Sequence, residues 1–282
     1  MRVKALAYLA INARDLDAWE EFATAVLGLA PIRLGDRLKL RLDERSYRLD
    51  LRAADEDGTA WIGWDVADSA ELEECRIALE QAGVAVERGT PAENADREVV
   101  DLLRFVDPQG LRHELCVGAA FASEPVTFSR PGTGFATGDL GLGHVALGVP
   151  DLAGAVDFFC GVLGFRITDV MPASFAFLRC NTRHHSAALM QWERPELHHV
   201  LLQALDLEQV GRTLDAATER GLVTKTLGRH AIDDLVSFYV RTPSGWDMEV
   251  GVGGMRVHDD EWVVRQVGRP FSSWGHHPVA AG

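Results

Sequence analysis

The sequence predicts an α+β fold built from four βαβββ modules, which are paired into two domains. Two observations support this prediction. Residues 7–29 and 143–165 are two copies of one sequence repeat, and they align without a gap. Each half of the chain also shows, twice over, an alternating strand pattern, a helical pattern and three further strand patterns. A length of 282 residues is enough for two domains of ordinary size.

The C-terminal half shows the module pattern most clearly. Its first module begins with a strand over residues 143–149, after which Asp151 caps a helix that ends near residues 161–164. Strands are then predicted at 166–170, 174–180 and 187–192. The second module is predicted as a strand at 199–204, a helix at 207–220, and strands at 224–227, 236–241 and 247–251. The N-terminal half repeats this pair of modules between Leu6 and Val117.

Composition changes divide the chain into four parts. We expect an N-terminal domain at residues 1–120, a linker rich in Gly, Ser, Thr and Pro at 121–139, and a C-terminal domain at 140–254. A tail at 255–282 follows. It contains several aromatic residues, so we expect it to pack on the C-terminal domain.

Charge and composition exclude several functions. A net charge of −14 disfavours binding to nucleic acid or to anionic membrane surfaces. The sequence has no run of about eighteen apolar residues, which a membrane span needs, and its first residues read as a strand, so we expect neither a membrane span nor a signal peptide. The four cysteines have no paired spacing, so we expect reduced, buried thiols in a cytoplasmic protein.

The two copies of the repeat differ selectively at two positions. Tyr8 in the first copy stands where His144 stands in the second, and Trp61 stands where His199 stands. Nine of the ten histidines lie in the second half. An isolated histidine at the start of a strand is usually an ordinary polar residue, but two replacements at equivalent positions argue against that interpretation.

A glutamate completes the pattern in the second half. Glu249 lies on the last predicted strand, and its equivalent in the first half is Glu114, which we interpret as an ordinary carboxylate at a strand end. Two imidazoles and one carboxylate on one face are the ligand set of non-haem Fe(II) enzymes. The strands of paired modules can bring these side chains together, so His144, His199 and Glu249 are the candidate metal ligands.

The segment from Gly228 to Glu249 carries a longer motif. It contains Gly-Arg-His at 228–230, Phe-Tyr at 238–239, Thr-Pro-Ser-Gly at 242–245 and the glutamate at its end. This pattern resembles the signature of the extradiol ring-cleavage dioxygenases, the type I, two-domain enzymes of the vicinal oxygen chelate superfamily with glyoxalase/bleomycin-resistance-like domains. The resemblance covers nearly the whole chain. Family members that act on dihydroxybiphenyl and related polycyclic catechols look the most similar.

The resemblance implies a role for each site residue. His144, His199 and Glu249 would bind Fe(II), or Mn(II) in its place, and the N-terminal domain would be metal-free. His185 would be the acid/base, whereas His184 and His198 are expected to be surface neighbours of their partners. His230 and Tyr239 would act in catalysis by hydrogen-bonding the substrate oxygens, and Asp233 would support the substrate site from behind them.

The implied reaction is O2-dependent meta-cleavage of a vicinal aromatic diol, with the catechol and O2 as partners and a homo-oligomer as the expected assembly. Candidate pocket walls are Ala146, Met171, Phe177, Ile232 and Pro270. Ile232 stands where the biphenyl enzymes commonly have Asn, which favours an apolar, bicyclic or polycyclic catechol. Two alternatives remain: an isomerase-like metal enzyme of the same superfamily, and a protein that binds small aromatic molecules.

Overall fold

The N-terminal half forms an eight-stranded sheet with helices packed against it. The structure is a computed structural model that describes residues 2–259 and 261–280. The elements of this half are β1 (Val3–Ala13), α1 (Leu16–Glu21), β2 (Ile32–Leu34), β3 (Arg37–Leu40), β4 (Leu49–Ala53), β5 (Gly58–Val66), α2 (Ser69–Gln81), β6 (Val86–Arg88), α3 (Pro91–Arg97), β7 (Asp101–Val106) and β8 (Arg112–Val117). A π-helical segment, Phe22–Leu27, continues α1.

The C-terminal half forms a ten-stranded sheet, preceded by a 3₁₀ turn at Gly138–Leu140. Its elements are β9 (Val145–Val149), α4 (Leu152–Gly161), β10 (Arg166–Met171), β11 (Phe175–Arg179), β12 (Ala187–Gln191), β13 (Glu196–Gln203), α5 (Leu207–Glu219), β14 (Val223–His230), β15 (Val236–Arg241), β16 (Asp247–Val252), β17 (Arg265–Gln266) and β18 (Ser272–Trp274).

The two sheets have the same topology. The strand order is β2-β3-β4-β1-β5-β8-β7-β6 in the first sheet, and β10-β11-β12-β9-β13-β16-β15-β14 forms the matching part of the second. In each, the first strands of the two modules pair antiparallel at the centre, and the last strand of each module runs parallel beside them. The predicted α+β fold with two module pairs is therefore confirmed.

Element boundaries follow local signals. Asp151 caps α4 by accepting a hydrogen bond from the Gly154 backbone N–H at 3.0 Å, as its position predicts. Strand β13 begins at Glu196, three residues before its predicted start at residue 199. Helix α3 was not predicted. It is held by a capping box between Thr90 and Glu93, and its seven residues are too few to give a clear helical period.

Packing joins the two halves through one continuous hydrophobic core. The Trp19 indole N–H donates to Ser244 Oγ at 2.8 Å, and its ring centre lies 5.6 Å from that of Trp246. The segment between the halves forms isolated β-bridges to both of them. Phe128 pairs with Leu29 of the first half, and Phe135 pairs with Ala204 of the second. The proposed linker therefore lies against the body of the protein along part of its length.

The tail lies along both edges of the C-terminal sheet. Strand β17 pairs parallel with β10, and β18 pairs antiparallel with β14. The chain between them crosses from one edge of the sheet to the other. Cys75, Cys116 and Cys180 are buried and Cys160 is half-buried, and all four are free thiols. In the described ranges, no helix is both long enough and apolar enough to cross a membrane.

Candidate metal centre

Strand register brings the three candidate ligands to one face of the C-terminal sheet. His144 directly precedes β9, His199 lies on β13 and Glu249 lies on β16. In the β13–β16 ladder Leu201 is opposite Glu249. Since alternate residues of a strand share a face, His199 and Leu201 point the same way, and Glu249 points with them.

The three ligand atoms form a compact triangle. His144 Nε2 is 3.2 Å from His199 Nε2 and 3.2 Å from Glu249 Oε2, and His199 Nε2 is 3.4 Å from the same oxygen. Two neighbouring ligands about 2.1 Å from an octahedral ion are about 3.0 Å apart. The triangle therefore has the size of one face around a divalent metal ion, and its donor types are those of non-haem iron sites.

Glu249 is held by its other oxygen. Oε1 accepts a hydrogen bond from Ser237 Oγ at 2.6 Å and lies 3.0 Å from His230 Nε2, which leaves Oε2 facing the two imidazoles. Burial favours protonation of Glu249, but the contacts with His144, His199 and His230 outweigh it and hold the Glu249 pKa well below its usual range. Burial lowers the pKa of His144 to about 4. At neutral pH both groups are thus in the forms that bind metal.

His185 lies beside the triangle without belonging to it. It is buried in the turn before β12, and its ring stacks on His144 with 4.1 Å between ring centres. Its ring centre is 5.1 Å from that of Phe177, and Asp233 Oδ2 is 3.9 Å from His185 Nδ1. Burial lowers the pKa of His185 well below its usual value, so the imidazole is neutral at pH 7.

The expectation that His184 is a surface residue is wrong. His184 is buried, with Nε2 3.0 Å from Asp169 Oδ2 and Nδ1 3.0 Å from His185 Nδ1. Arg265, on the tail strand β17, donates to the same aspartate at 2.9 Å. Residues 181–186 form a turn between β11 and β12, so the alternation of a strand does not separate the two imidazoles.

His198 also differs from the expectation. Its side chain is partly buried and lines the cavity in front of the triangle, with Nδ1 2.8 Å from His199 Nδ1. Burial lowers the pKa of His198 to about 4. Because β13 begins earlier than predicted, His198 is held within a strand beside the site.

His230 and Tyr239 complete the polar side of the cavity. His230 ends β14, and Tyr239 on β15 lies opposite Glu249 in the ladder with β16. His230 Nε2 is 3.1 Å from the Tyr239 hydroxyl. Burial and the Glu249 charge raise the pKa of Tyr239 well above its usual value. Burial lowers the pKa of His230, but Glu249 has the opposite and larger effect, so this pKa is raised overall.

The triangle opens into a cavity of about 290 Å³. Its apolar wall is made by Ala146, Phe175, Phe177, Ala188, Met190, Ile232 and Phe271. Three predicted wall residues are in this set. Sequence reasoning missed the others, together with Lys225 and His276, which lie on the polar side.

Three predicted pocket residues lie elsewhere. Met171 is on β10, and β11 with its phenylalanines separates that strand from the cavity. Pro270 lines an outer surface groove, while the next residue, Phe271, lines the cavity. Asp233 borders a small recess behind His185. It can support the site from behind, but it does not line the substrate cavity.

The equivalent place in the N-terminal half is filled by arginines. Glu114 Oε2 accepts hydrogen bonds from Tyr8 at 2.5 Å and Arg97 Nε at 2.8 Å, and Oε1 accepts one from Arg104 Nε at 3.0 Å. Glu114 is fully buried, so it is not the simple strand-end carboxylate that we expected. The Arg104 guanidinium lies over the ring of Trp61, with its Cζ 5.5 Å from the ring centre. Two cations neutralise the glutamate at the position where the other half gathers two imidazoles.

Known proteins share both the sequence and the architecture. Residues 141–250 match the Glyoxalase/Bleomycin resistance protein/Dioxygenase superfamily, and residues 6–53 match the family described as Dihydroxybiphenyl dioxygenase BphC D1. The chain is 37% identical over 294 residues to an iron-dependent extradiol dioxygenase of Rhodococcus jostii (strain RHA1), covering 98% of this chain and 97% of that protein.

Two further likenesses agree with these matches. The chain is 38% identical over 290 residues to a biphenyl-2,3-diol 1,2-dioxygenase of Paraburkholderia xenovorans (strain LB400), covering 99% of this chain and 97% of that protein. The crystal structure of BphC, a halotolerant catechol dioxygenase, superposes with a TM-score of 0.93 at 34% identity, covering 98% of this chain and 95% of the other.

Proposed function

Because the chain belongs to the extradiol dioxygenases of the Glyoxalase/Bleomycin resistance protein/Dioxygenase superfamily, we propose that it opens the ring of a bicyclic catechol with O2 at an Fe(II) site. The observation that supports this proposal best is the compact triangle of two imidazoles and one carboxylate at the base of an apolar cavity. The reaction breaks one ring C–C bond beside the diol. Both atoms of O2 enter the product, so no external reductant is needed.

We assign the metal to His144, His199 and Glu249. A bound Fe(II) ion makes a coordinated phenol more acidic and allows electron transfer from the diol to O2. The protein supplies one negative charge and two imidazoles, and two of the three ligand side chains, His144 and Glu249, are buried while His199 is half-buried. Mn(II) accepts the same ligands, and the metal test below includes it.

The neighbouring polar groups handle protons. His185 is neutral, so it can accept the proton that the catechol loses on binding and return it as the ring opens. His230 lies beside Glu249 and close to the Tyr239 hydroxyl, and both residues line the cavity, so they can hydrogen-bond the oxygen atoms of the diol. A protonated His230, favoured by its raised pKa, is a donor at both nitrogens.

The cavity favours a substrate with a second ring. Its volume of about 290 Å³ is close to the lower limit of ordinary ligand pockets, about 300–1,000 Å³, so it suits a small aromatic molecule. Phe175, Phe177 and Phe271 supply aromatic faces, and Ile232 adds an aliphatic wall without a hydrogen bond from its side chain. We therefore propose a dihydroxybiphenyl or dihydroxynaphthalene type of catechol.

The two alternatives predict different sites. Isomerase-like enzymes of this superfamily usually add a second carboxylate to the metal site. Among the described residues, Glu249 is the one carboxylate that lines this cavity. A binding protein for aromatic molecules would need the apolar wall but not three converging ligands.

The test uses protein freed of metal and reloaded anaerobically with Fe(II) or with Mn(II). Monocyclic, biphenyl and naphthalene diols are then mixed with O2, while an oxygen electrode and the absorbance of the yellow ring-opened product are recorded. We expect one O2 consumed for each ring opened and the highest kcat/KM for a bicyclic diol. Turnover without O2 would support the isomerase, and diol binding without metal or turnover would support the binding protein.

A further inference from the structure

A histidine of the C-terminal tail reaches the metal site. Pairing of β18 with β14 places Ser272 opposite His230. The His276 ring then lies 4.2 Å from the His230 ring and lines the cavity. The turn before it is tightly constrained: Gly275 has a φ of +70°, and a Cβ there would come within 2.1 Å of the Leu227 carbonyl oxygen. His276 itself has a φ of +53°, which is uncommon for a residue other than glycine.

The hydrogen bonds of His276 fix its tautomer. Nε2 lies 3.0 Å from the backbone oxygen of Ser237, and a carbonyl can only accept, so Nε2 carries the proton. Burial lowers the pKa of His276 to about 4, which leaves the ring neutral. Nδ1 must then accept, and the Ser272 hydroxyl lies 2.7 Å away as its donor.

This arrangement orients the hydroxyl of Ser237. The Ser237 Oγ is 3.1 Å from His276 Nε2, so the one N–H can be shared between this oxygen and the Ser237 carbonyl as a three-centre hydrogen bond, and the hydroxyl proton is left for another acceptor. Glu249 Oε1 is that acceptor, at 2.6 Å. A continuous path of hydrogen bonds thus runs from the tail, through Ser272, His276 and Ser237, to the carboxylate of the metal triangle.

We propose that His276 is a positioning residue for the metal centre: it fixes the Ser237 hydroxyl, which holds Glu249 with Oε2 toward His144 and His199. Without the Ser237 hydroxyl, Oε1 keeps only its contact with His230, so the carboxylate can rotate more freely about its terminal bond and the metal loses part of the preorganisation of this ligand. Hydrogen-bond partners of metal ligands typically contribute a factor of about 10–100 in affinity. The inference rests on the proposed metal site and is independent of the substrate.

The tail has no equivalent in the other half. Within the described residues, the N-terminal sheet has eight strands and lacks counterparts of β17 and β18. Its glutamate, Glu114, is held by arginines. Support of the ligand carboxylate by a tail histidine is thus specific to the half that gathers the ligands.

The experiment measures metal affinity. The dissociation constant of Mn(II), and of Fe(II) without oxygen, is determined by chelator competition for the parent protein and for His276→Ala, Ser237→Ala and the double variant. Each single variant should bind metal about 10- to 100-fold more weakly. The double variant should be no weaker than Ser237→Ala, because both residues act through one hydroxyl.

Two further variants separate positioning from packing. His276→Gln keeps an N–H donor and an acceptor, so it should recover most of the affinity that His276→Ala loses. His277→Ala changes an exposed neighbour and should bind metal like the parent. Thermal unfolding of the metal-free proteins checks that each variant is folded.

The inference is wrong if folded His276→Ala binds metal as tightly as the parent, or if the losses from His276→Ala and Ser237→Ala add fully. It is also wrong if His276→Gln binds as weakly as His276→Ala. A parent protein that binds neither metal would instead contradict the proposed function. The two failures are therefore distinguishable.

Discussion

Replacing His185 should separate the chemistry from metal binding. His185 stacks on His144 but lies outside the triangle of ligand atoms, so His185→Phe should keep its metal and still bind the catechol. The loss of a positioned proton-transfer group costs a factor on the order of 10² to 10⁴ in rate. That factor corresponds to about 3–5 kcal/mol in the activation barrier. Because His185 is buried, bulk water cannot easily replace it, and we expect the upper half of this range.

The assay is an anaerobic binding titration with the catechol, followed by rapid mixing with O2. His185→Gln should be as slow as His185→Phe, because an amide can hydrogen-bond but cannot carry the proton. His184 cannot serve as a mild control, since it is buried against Asp169. The exposed His277→Phe is the suitable control and should turn over like the parent. Loss of metal in the His185 variants, or a normal rate in His185→Gln, would refute the assignment.

The remaining predictions test the ligands, the pocket and the effect of pH. Glu249→Ala should lose metal and activity together, because it removes the charge of the ligand set; metal retained after desalting would contradict this. Metal analysis should give one ion per chain, because arginines neutralise the equivalent glutamate of the N-terminal half; two tightly bound ions would disprove it. Ile232→Asn should reduce the preference for bicyclic over plain catechol about tenfold or more, measured as the ratio of kcat/KM values, and an unchanged ratio would remove Ile232 from substrate selection. The metal-free protein should lose stability as the pH falls from about 6.5 to about 4, because buried His144, with a pKa of about 4, stays neutral while the unfolded chain takes up a proton. This residue accounts for up to about 3 kcal/mol of unfolding free energy. The raised pKa of His230 acts above pH 6.5 and leaves this window unchanged. Equal stability in urea at pH 6.5 and pH 4.5 would contradict the prediction.

Local sequence signals were sufficient for the modules. Strand alternation, helical periodicity and caps such as Asp151 depend only on residues that are close in the sequence, so they can be recognised without the tertiary structure. The short helix α3 escaped because it is too brief to show a period. The duplication added information of another kind, because each half served as a control for the other. The replacement of Tyr8 by His144 and of Trp61 by His199 indicated which side chains to place together.

Only the tertiary structure decided what surrounds those side chains. His184 looked like a surface residue because its partners, Asp169 and Arg265, are distant in the sequence. The aromatic residues of the tail predicted that it packs on the C-terminal domain, but nothing near His276 in the sequence indicated a contact with Ser237. A polar side chain can be buried only where folding supplies its hydrogen-bond partners, and those partners come from other strands. The sequence alone therefore identified the residues that a metal needs, and three-dimensional packing determined which residues hold them in place.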